Sequence, residues 1–255
     1  MKTSFQARAG MHVLYTVAIA GCAGIMHAPA ATMPMPLAGA EQLVVVVTPE
    51  WNATSGELRR YSRASTSASW QPEGDATRIV VGRTGLAWDP AFANGALPIK
   101  REGDGKAPAG IFPLDTAFGF APRAELSWLR VPYVALQPTS DCVDDVGSQY
   151  YNTVVDRATV PRLDWTSAEH MREISVYRLG VIVGYNAAPP RRGGGSCIFL
   201  HIWSGPQSVT AGCTAMEESA LKSLVRWLDR ARRPVLVQLP AAEHARLRGE
   251  WGLPS

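Results

Sequence analysis

A mainly β fold with a few helices packed on it is predicted by three features of the 255-residue sequence. Short runs rich in Val, Ile, Leu and Thr recur between clusters of Gly, Pro, Asp and Ser, giving about eight to ten candidate strands. Only two segments carry clear helical marks. Strands and helices do not alternate in the rhythm of a parallel βαβ sheet, so a mostly antiparallel arrangement is expected. Hydrophobic residues at 46% and charged residues at 18% suit a globular chain with a substantial core.

Residues 1–30 have the make-up of a secretory signal. Lys2 and Arg8 precede an apolar stretch over residues 13–26, and Ala28-Pro29-Ala30 offers a small-residue cleavage site. The stretch is too short for a spanning helix. Ile19-Ala20-Gly21-Cys22 supports a second reading, cleavage before Cys22 with a lipid attached there, and both stay open. The expectation is export to the periplasm or beyond, with the membrane reached only through an anchor at Cys22. Residues 31–40 read as a linker, 41–240 as one domain, and 241–255 as a surface tail.

Within the domain, residues 43–48 form a β-branched run expected to be a buried strand. Residues 58–62 and 78–82 follow, separated by the turn chemistry of Thr54-Ser55-Gly56-Glu57 and Pro72-Glu73-Gly74-Asp75. Residues 90–110 are loop-like and lead to the apolar piece 111–114, with another strand expected at 129–136. Thr166-Ser167-Ala168-Glu169 is a capping box, predicting a short helix toward Ile174. Residues 176–185 read as one or two strands with Gly180 as a turn or bulge, and 189–196 as a flexible loop. Residues 198–203 form a strand that is apolar on both faces except for His201. A helix over 217–231 carries Leu221, Leu224, Val225 and Leu228 at helical spacing, and residues 234–239 close the domain as a strand.

The net charge of +3 is spread along the chain, and its basic spots lack the interleaved aromatics of a nucleic-acid binder. No nucleic-acid partner is expected. Gly103-Asp104-Gly105-Lys106 is no phosphate loop, because the P-loop pattern needs Ser or Thr after the Lys and the chain has Ala107. Asp141, Asp144 and Asp145 could hold a cation, yet two adjacent carboxylates in a loop are usually solvated, so neither a metal nor a cofactor is expected.

The chemistry concentrates at two residues. Of five histidines only His201 ends an apolar strand, and Cys213 follows it twelve residues later beyond the turn Ser204-Gly205-Pro206. A thiol needs help to ionise near neutral pH. Thr214-Ala215-Met216-Glu217 has capping-box form, so Cys213 is expected directly before a helix start, where the dipole favours a thiolate. His201 would accept the proton. Gly212 fits a tight turn, and the N–H groups of Gly212 and Thr214 are candidates for an oxyanion hole. A core histidine beside an inert buried cysteine fits the spacing equally well.

Cys197-Ile-Phe-Leu-His201 and Thr210-Ala-Gly-Cys213-Thr-Ala-Met216 resemble the L,D-transpeptidase catalytic (YkuD-like) domain. The segment from Lys100 to Phe112, with Asp104-Gly105-Lys106-Ala107-Pro108, is similar to that family's "dGktPxGxF" stretch, and the likeness extends over about residues 43–239. The resemblance implies a β-sandwich-like fold with a helix following the nucleophile. It also implies a thioester mechanism in which Cys213 attacks the L,D-amide of a peptidoglycan stem peptide. Passing the acyl group to an amine gives a cross-link and passing it to water makes an L,D-carboxypeptidase; a wall-binding module without turnover is the remaining alternative. In the family the histidine is oriented by a backbone carbonyl. The partners implied are peptidoglycan stem peptides, and a monomer is expected.

Cys22 leaves with the signal or becomes the anchor, so three cysteines remain, an odd count that implies one pair and one free thiol. With Cys213 as nucleophile, Cys142 and Cys197 are the natural pair; two buried small hydrophobes are the alternative. Substrate-contact candidates are Tyr185 and Asn186 at a strand end, Arg191 in the Gly-rich loop, Thr210 in the nucleophile signature, and Trp203, which either walls the pocket or fills core.

Overall fold

A computed structural model describes Met1 and residues 37–254. The expected signal, the lipidation site at Cys22 and residues 31–36 of the linker lie outside the described residues. Strands hold 32% of the chain and helices 15%, so the class is mainly β with α.

The strands are β1 (Gln42–Thr48), β2 (Ser55–Ser62), β3 (Gln71–Pro72), β4 (Thr77–Val80), β5 (Leu86–Trp88), β6 (Ala107–Pro113), β7 (Thr116–Gly119) and β8 (Tyr133–Ala135). They continue as β9 (Ser140–Val143), β10 (Val154–Asp156), β11 (Ala168–His170), β12 (Leu179–Ile182), β13 (Phe199–Ile202), β14 (Thr214–Met216) and β15 (Val235–Pro240). Helix α1 spans Glu218–Trp227 and α2 spans Ala241–Trp251. Twelve strands make one sheet in the order β5-β6-β15-β1-β2-β4-β14-β13-β12-β7-β8, with β3 on β2; β10-β9-β11 make a second.

The sequence run Val44-Val45-Val46-Val47 sits in the middle of the large sheet, parallel to β15 and antiparallel to β2. That position, with both strand edges paired and both faces covered, is what a continuous β-branched run favours. The sheet folds over on itself. Thr214 on β14 donates from Oγ1 to Gln238 Oε1 on β15 at 2.6 Å, although three strands separate them in the sheet order. Gln238 Nε2 then donates to Pro108 O on β6 at 2.8 Å, so both buried polar groups are satisfied inside the sandwich.

Strand β13 divides two apolar clusters. Leu200 and Ile202 point into the main core, whereas Phe199 packs with Phe118, Tyr177, Cys197 and Cys213. Helix α1 covers β12 and β13 through the fully buried Leu221, Leu224 and Val225. The small sheet is tied to this second cluster by a disulfide between Cys142 on β9 and Cys197, with Cα atoms 6.0 Å apart.

Three expectations about the fold are corrected, and several short strands were not anticipated. The capping box at Thr166 opens no helix: Thr166 bonds the Asp145 carboxylate through N–H and hydroxyl, and Ala168–His170 pairs with β9 as strand β11. Gly180 is no turn but lies inside β12, where the Phe118 ring occupies the space of a Cβ. Strands β3, β5, β7, β9 and β10 were not anticipated. The residues expected as a surface tail form α2, which buries Leu247 and Trp251 against the core, with Trp251 edge-on to Phe92 at 5.4 Å. The i, i+4 spacing of those two residues supplies the apolar face amid a strongly charged helix.

Candidate active site

Strand pairing brings the two candidate residues together. In the parallel β13–β14 ladder His201 lies opposite Ala215 and Leu200 opposite Thr214. Continued one step back, this register sets Cys213 beside Phe199, on the same face as His201. The Phe199 N–H accordingly donates to Cys213 Sγ at 3.3 Å. Both side chains line one cavity of about 350 Å³, with Tyr177, Glu169, Trp203 and Lys100 among its walls.

His201 is 7% exposed. Its Nδ1 lies 2.7 Å from Ile202 O. A carbonyl can only accept, so Nδ1 carries the proton and Nε2 is left as an acceptor. Burial disfavours the imidazolium and pulls the pKa down to about 4, with the Ile202 carbonyl opposing that shift. The ring is neutral at neutral pH, and the Tyr177 ring packs on it at 5.2 Å.

Cys213 is 5% exposed, and its thiol donates to Cys197 O at 3.3 Å. Burial and then the Glu169 charge push the thiol pKa well above its ordinary value. The Phe199 N–H, the Tyr177 side chain and the Lys100 ammonium act the other way. The resting sulfur is therefore a protonated thiol.

The expected helix start behind Cys213 is not there. Thr214–Met216 is strand β14, clamped between β13 and β4, where Met216 faces Ile79. Helix α1 begins at Glu218, capped by the Glu217 carboxylate on the Ala220 N–H at 3.3 Å. The residues of the apparent capping box gain two strand partners and full burial for Ala215 and Met216, which outweighs a local cap of about 1 kcal/mol. No helix dipole acidifies this sulfur.

The other expected residues divide into two groups. Thr210 pins the turn that carries Cys213: its hydroxyl donates to Cys213 O at 2.7 Å and accepts the Gly212 N–H at 3.2 Å. The Gly212 N–H is thus engaged in the resting turn. Thr214 turns its side chain to Gln238 in the core. Trp203 lines the cavity, and its backbone N–H donates to Met216 O. Tyr185, Asn186 and Arg191 do not line it. Tyr185 is buried with its hydroxyl on Gly194 O. Asn186 holds the 186–195 loop closed through Arg191 N, Arg191 O and Gly195 O. Arg191 is exposed on that loop.

Sequence reasoning missed the cavity's charged walls. Lys100 is 3% exposed and pairs with Asp104 at 2.7 Å. Glu102 accepts from Ser196 Oγ at 2.7 Å and from the Tyr151 hydroxyl. Asp144 presents a buried Oδ1 without a hydrogen-bond partner among the described residues. Glu169 accepts from the Tyr177 hydroxyl at 2.7 Å, and burial raises its pKa to about 7. The presence of Lys100 in the Gly-rich stretch was the one available signal; Glu169 and Tyr177 had none.

A family model of the L,D-transpeptidase catalytic domain matches residues 52–237. No curated protein and no solved structure matches the chain.

Proposed function

Since the chain belongs to the L,D-transpeptidase catalytic-domain family, we propose that it is an exported cysteine acyl-transfer enzyme that cleaves the L,D-amide of peptidoglycan stem peptides, with Cys213 as nucleophile and His201 as base. One observation carries the residue assignment: thiol and imidazole line the same cavity, and the Ile202 carbonyl holds Nδ1–H so that the imidazole's Nε2 is the acceptor. Export is proposed from the signal-like composition of residues 1–30.

The resting thiol is neutral and so is the imidazole, so no preformed ion pair waits for substrate. The chemistry that fits is proton transfer concerted with attack. As the sulfur closes on the amide carbonyl carbon, the S–H bond breaks and His201 Nε2 takes the proton. The imidazolium then gives that proton to the departing D-alanine nitrogen, leaving a thioester on Cys213. An amine acceptor releases the acyl group as a cross-link, and water releases it as a shortened peptide. A base whose pKa is held low returns its proton readily, which suits the second half of this step.

Incubation of the purified protein with tetrapeptide muropeptides, followed by mass spectrometry, tests the reading. Cross-linked dimers identify transpeptidation and tripeptides identify carboxypeptidation, and both should vanish in Cys213→Ala. Binding to sacculi with no product, unchanged by that substitution, would assign a non-catalytic wall-binding role.

A further inference from the structure

We propose that the Tyr177 hydroxyl is a catalytic donor to the Cys213 thiolate and that Glu169, acting through Tyr177, decides when that donor is available. The proposal rests on the reading of Cys213 as nucleophile. Tyr177 closes a short 3₁₀ turn, Ser175–Tyr177, and comes to the site 5% exposed, between the acid and the sulfur. Its oxygen is 2.7 Å from Glu169 Oε2, and Tyr177 lines the same cavity as Cys213 and packs with it in one buried cluster.

A phenol has one hydrogen and therefore one direction in which to donate. With Glu169 ionised, that hydrogen goes to the carboxylate, because a charge-assisted bond is roughly twice as strong as a neutral one. The sulfur then faces oxygen lone pairs and a nearby negative charge, and its best arrangement is the observed one, a thiol donating to Cys197 O. With Glu169 protonated, the carboxylic acid donates to the Tyr177 oxygen, and the phenolic hydrogen turns to the sulfur. It can then hold the thiolate while the thiol proton sits on His201 Nε2. Tyr177 keeps its own O–H throughout, and no proton is gained or lost beyond the S–H to N–H transfer.

The surroundings tune the gate toward neutrality. Burial raises the Glu169 pKa to about 7, with added repulsion from Asp144 and Glu102 and opposition from the Tyr177 hydrogen bond. On the same cavity wall Lys100 favours the thiolate, Arg83 is exposed, and His201 is neutral. The adjacent His170 and Asp141 face away, where they pair with each other at 2.8 Å and Asp141 also binds Arg157.

The test is the pH dependence of iodoacetamide alkylation at Cys213, read by peptide mapping without reductant on the whole chain. An ordinary thiol reacts about tenfold faster per pH unit below its pKa. In the free protein His201 stays neutral near pH 7 and the thiol proton goes to solvent, so the reactive species, protonated Glu169 with thiolate and neutral imidazole, has the same proton count as ionised Glu169 with thiol. The wild-type rate should therefore rise to about pH 7 and then level off. Glu169→Gln, whose amide donates to Tyr177 at every pH, should rise tenfold per unit to pH 9 without a plateau. Tyr177→Phe should react at least about tenfold more slowly at pH 6. A wild-type rate that climbs in parallel with Glu169→Gln, or Tyr177→Phe at the wild-type rate, overturns the proposal. A plateau that disappears in Glu169→Gln upholds it even where muropeptides go unprocessed, an outcome that removes only the wall-enzyme reading.

Discussion

His201 donates from Nδ1 to the carbonyl of Ile202, its own neighbour on β13, at 2.7 Å. One backbone acceptor thus does for this imidazole what a carboxylate does in a three-residue triad, fixing the tautomer without adding charge. A buried carboxylate at that position would raise the imidazole's pKa; the carbonyl leaves it depressed to about 4.

The sign of the pH dependence follows. The base form of His201 is present above about pH 4 and is lost below it. Catalysis should retain its base down to about pH 4 to 5, with no acid limb near the ordinary histidine value of about 6.5. His201→Ala should lower kcat/KM by at least about 10². Muropeptide turnover followed from pH 4 to 9 checks both, and near-wild-type turnover in His201→Ala would remove it from the mechanism. The same depressed pKa makes folding lose stability as pH falls from about 6.5 toward 4, since only the unfolded chain binds the proton over that window.

Thr210 holds the turn that presents the sulfur, through Gly212 N–H and Cys213 O. Thr210→Val keeps the shape and removes both bonds. It should lower kcat by about 10-fold or more with KM nearly unchanged, while Thr210→Ser keeps most activity. The mispositioned nucleophile would cost little in substrate binding.

The Cys142–Cys197 disulfide closes a span of 55 residues and anchors the small sheet beside the sulfur. Replacing both cysteines with serine should destabilise the protein by on the order of 4 kcal/mol, the chain-entropy value for such a loop. Chemical denaturation without reductant measures it; a loss under about 1 kcal/mol would mean that the small sheet docks by packing alone.

Helix α2 belongs to the core, with Trp251 5% exposed against Phe92. Trp251→Ala should cost roughly 3–5 kcal/mol, the range for deleting a buried Trp. An unchanged unfolding midpoint would return residues 241–255 to the status of a tail.

Much of the frame was legible because it depends on local pattern. The valine run of β1, strand β15 and the apolar stripe of α1 each announce their partners by burial period alone. The strand carrying His201 was legible for the same reason, as one polar residue in an apolar run. The segment after Cys213 misled because its cap chemistry is equally local. Thr214-Ala215-Met216 satisfies a helix-start pattern, yet the register with His201 and Val80 gives Ala215 two strand neighbours that no local window contains.

Tyr185, Asn186 and Arg191 were drawn toward the site by loop composition, and the folded chain spends the first two on closing that loop.

Residue type and short spacing are enough to carry the strand-rich class, the candidate pair His201 and Cys213, and the odd thiol among the cysteines. The electrostatics of the sulfur were not legible at that level. Glu169, Tyr177 and Lys100 reach the cavity from separate segments, and residues 214–216, expected to start a helix, form a strand instead. Electric fields depend on distances through space, and those distances are set by strand pairings far apart in the chain.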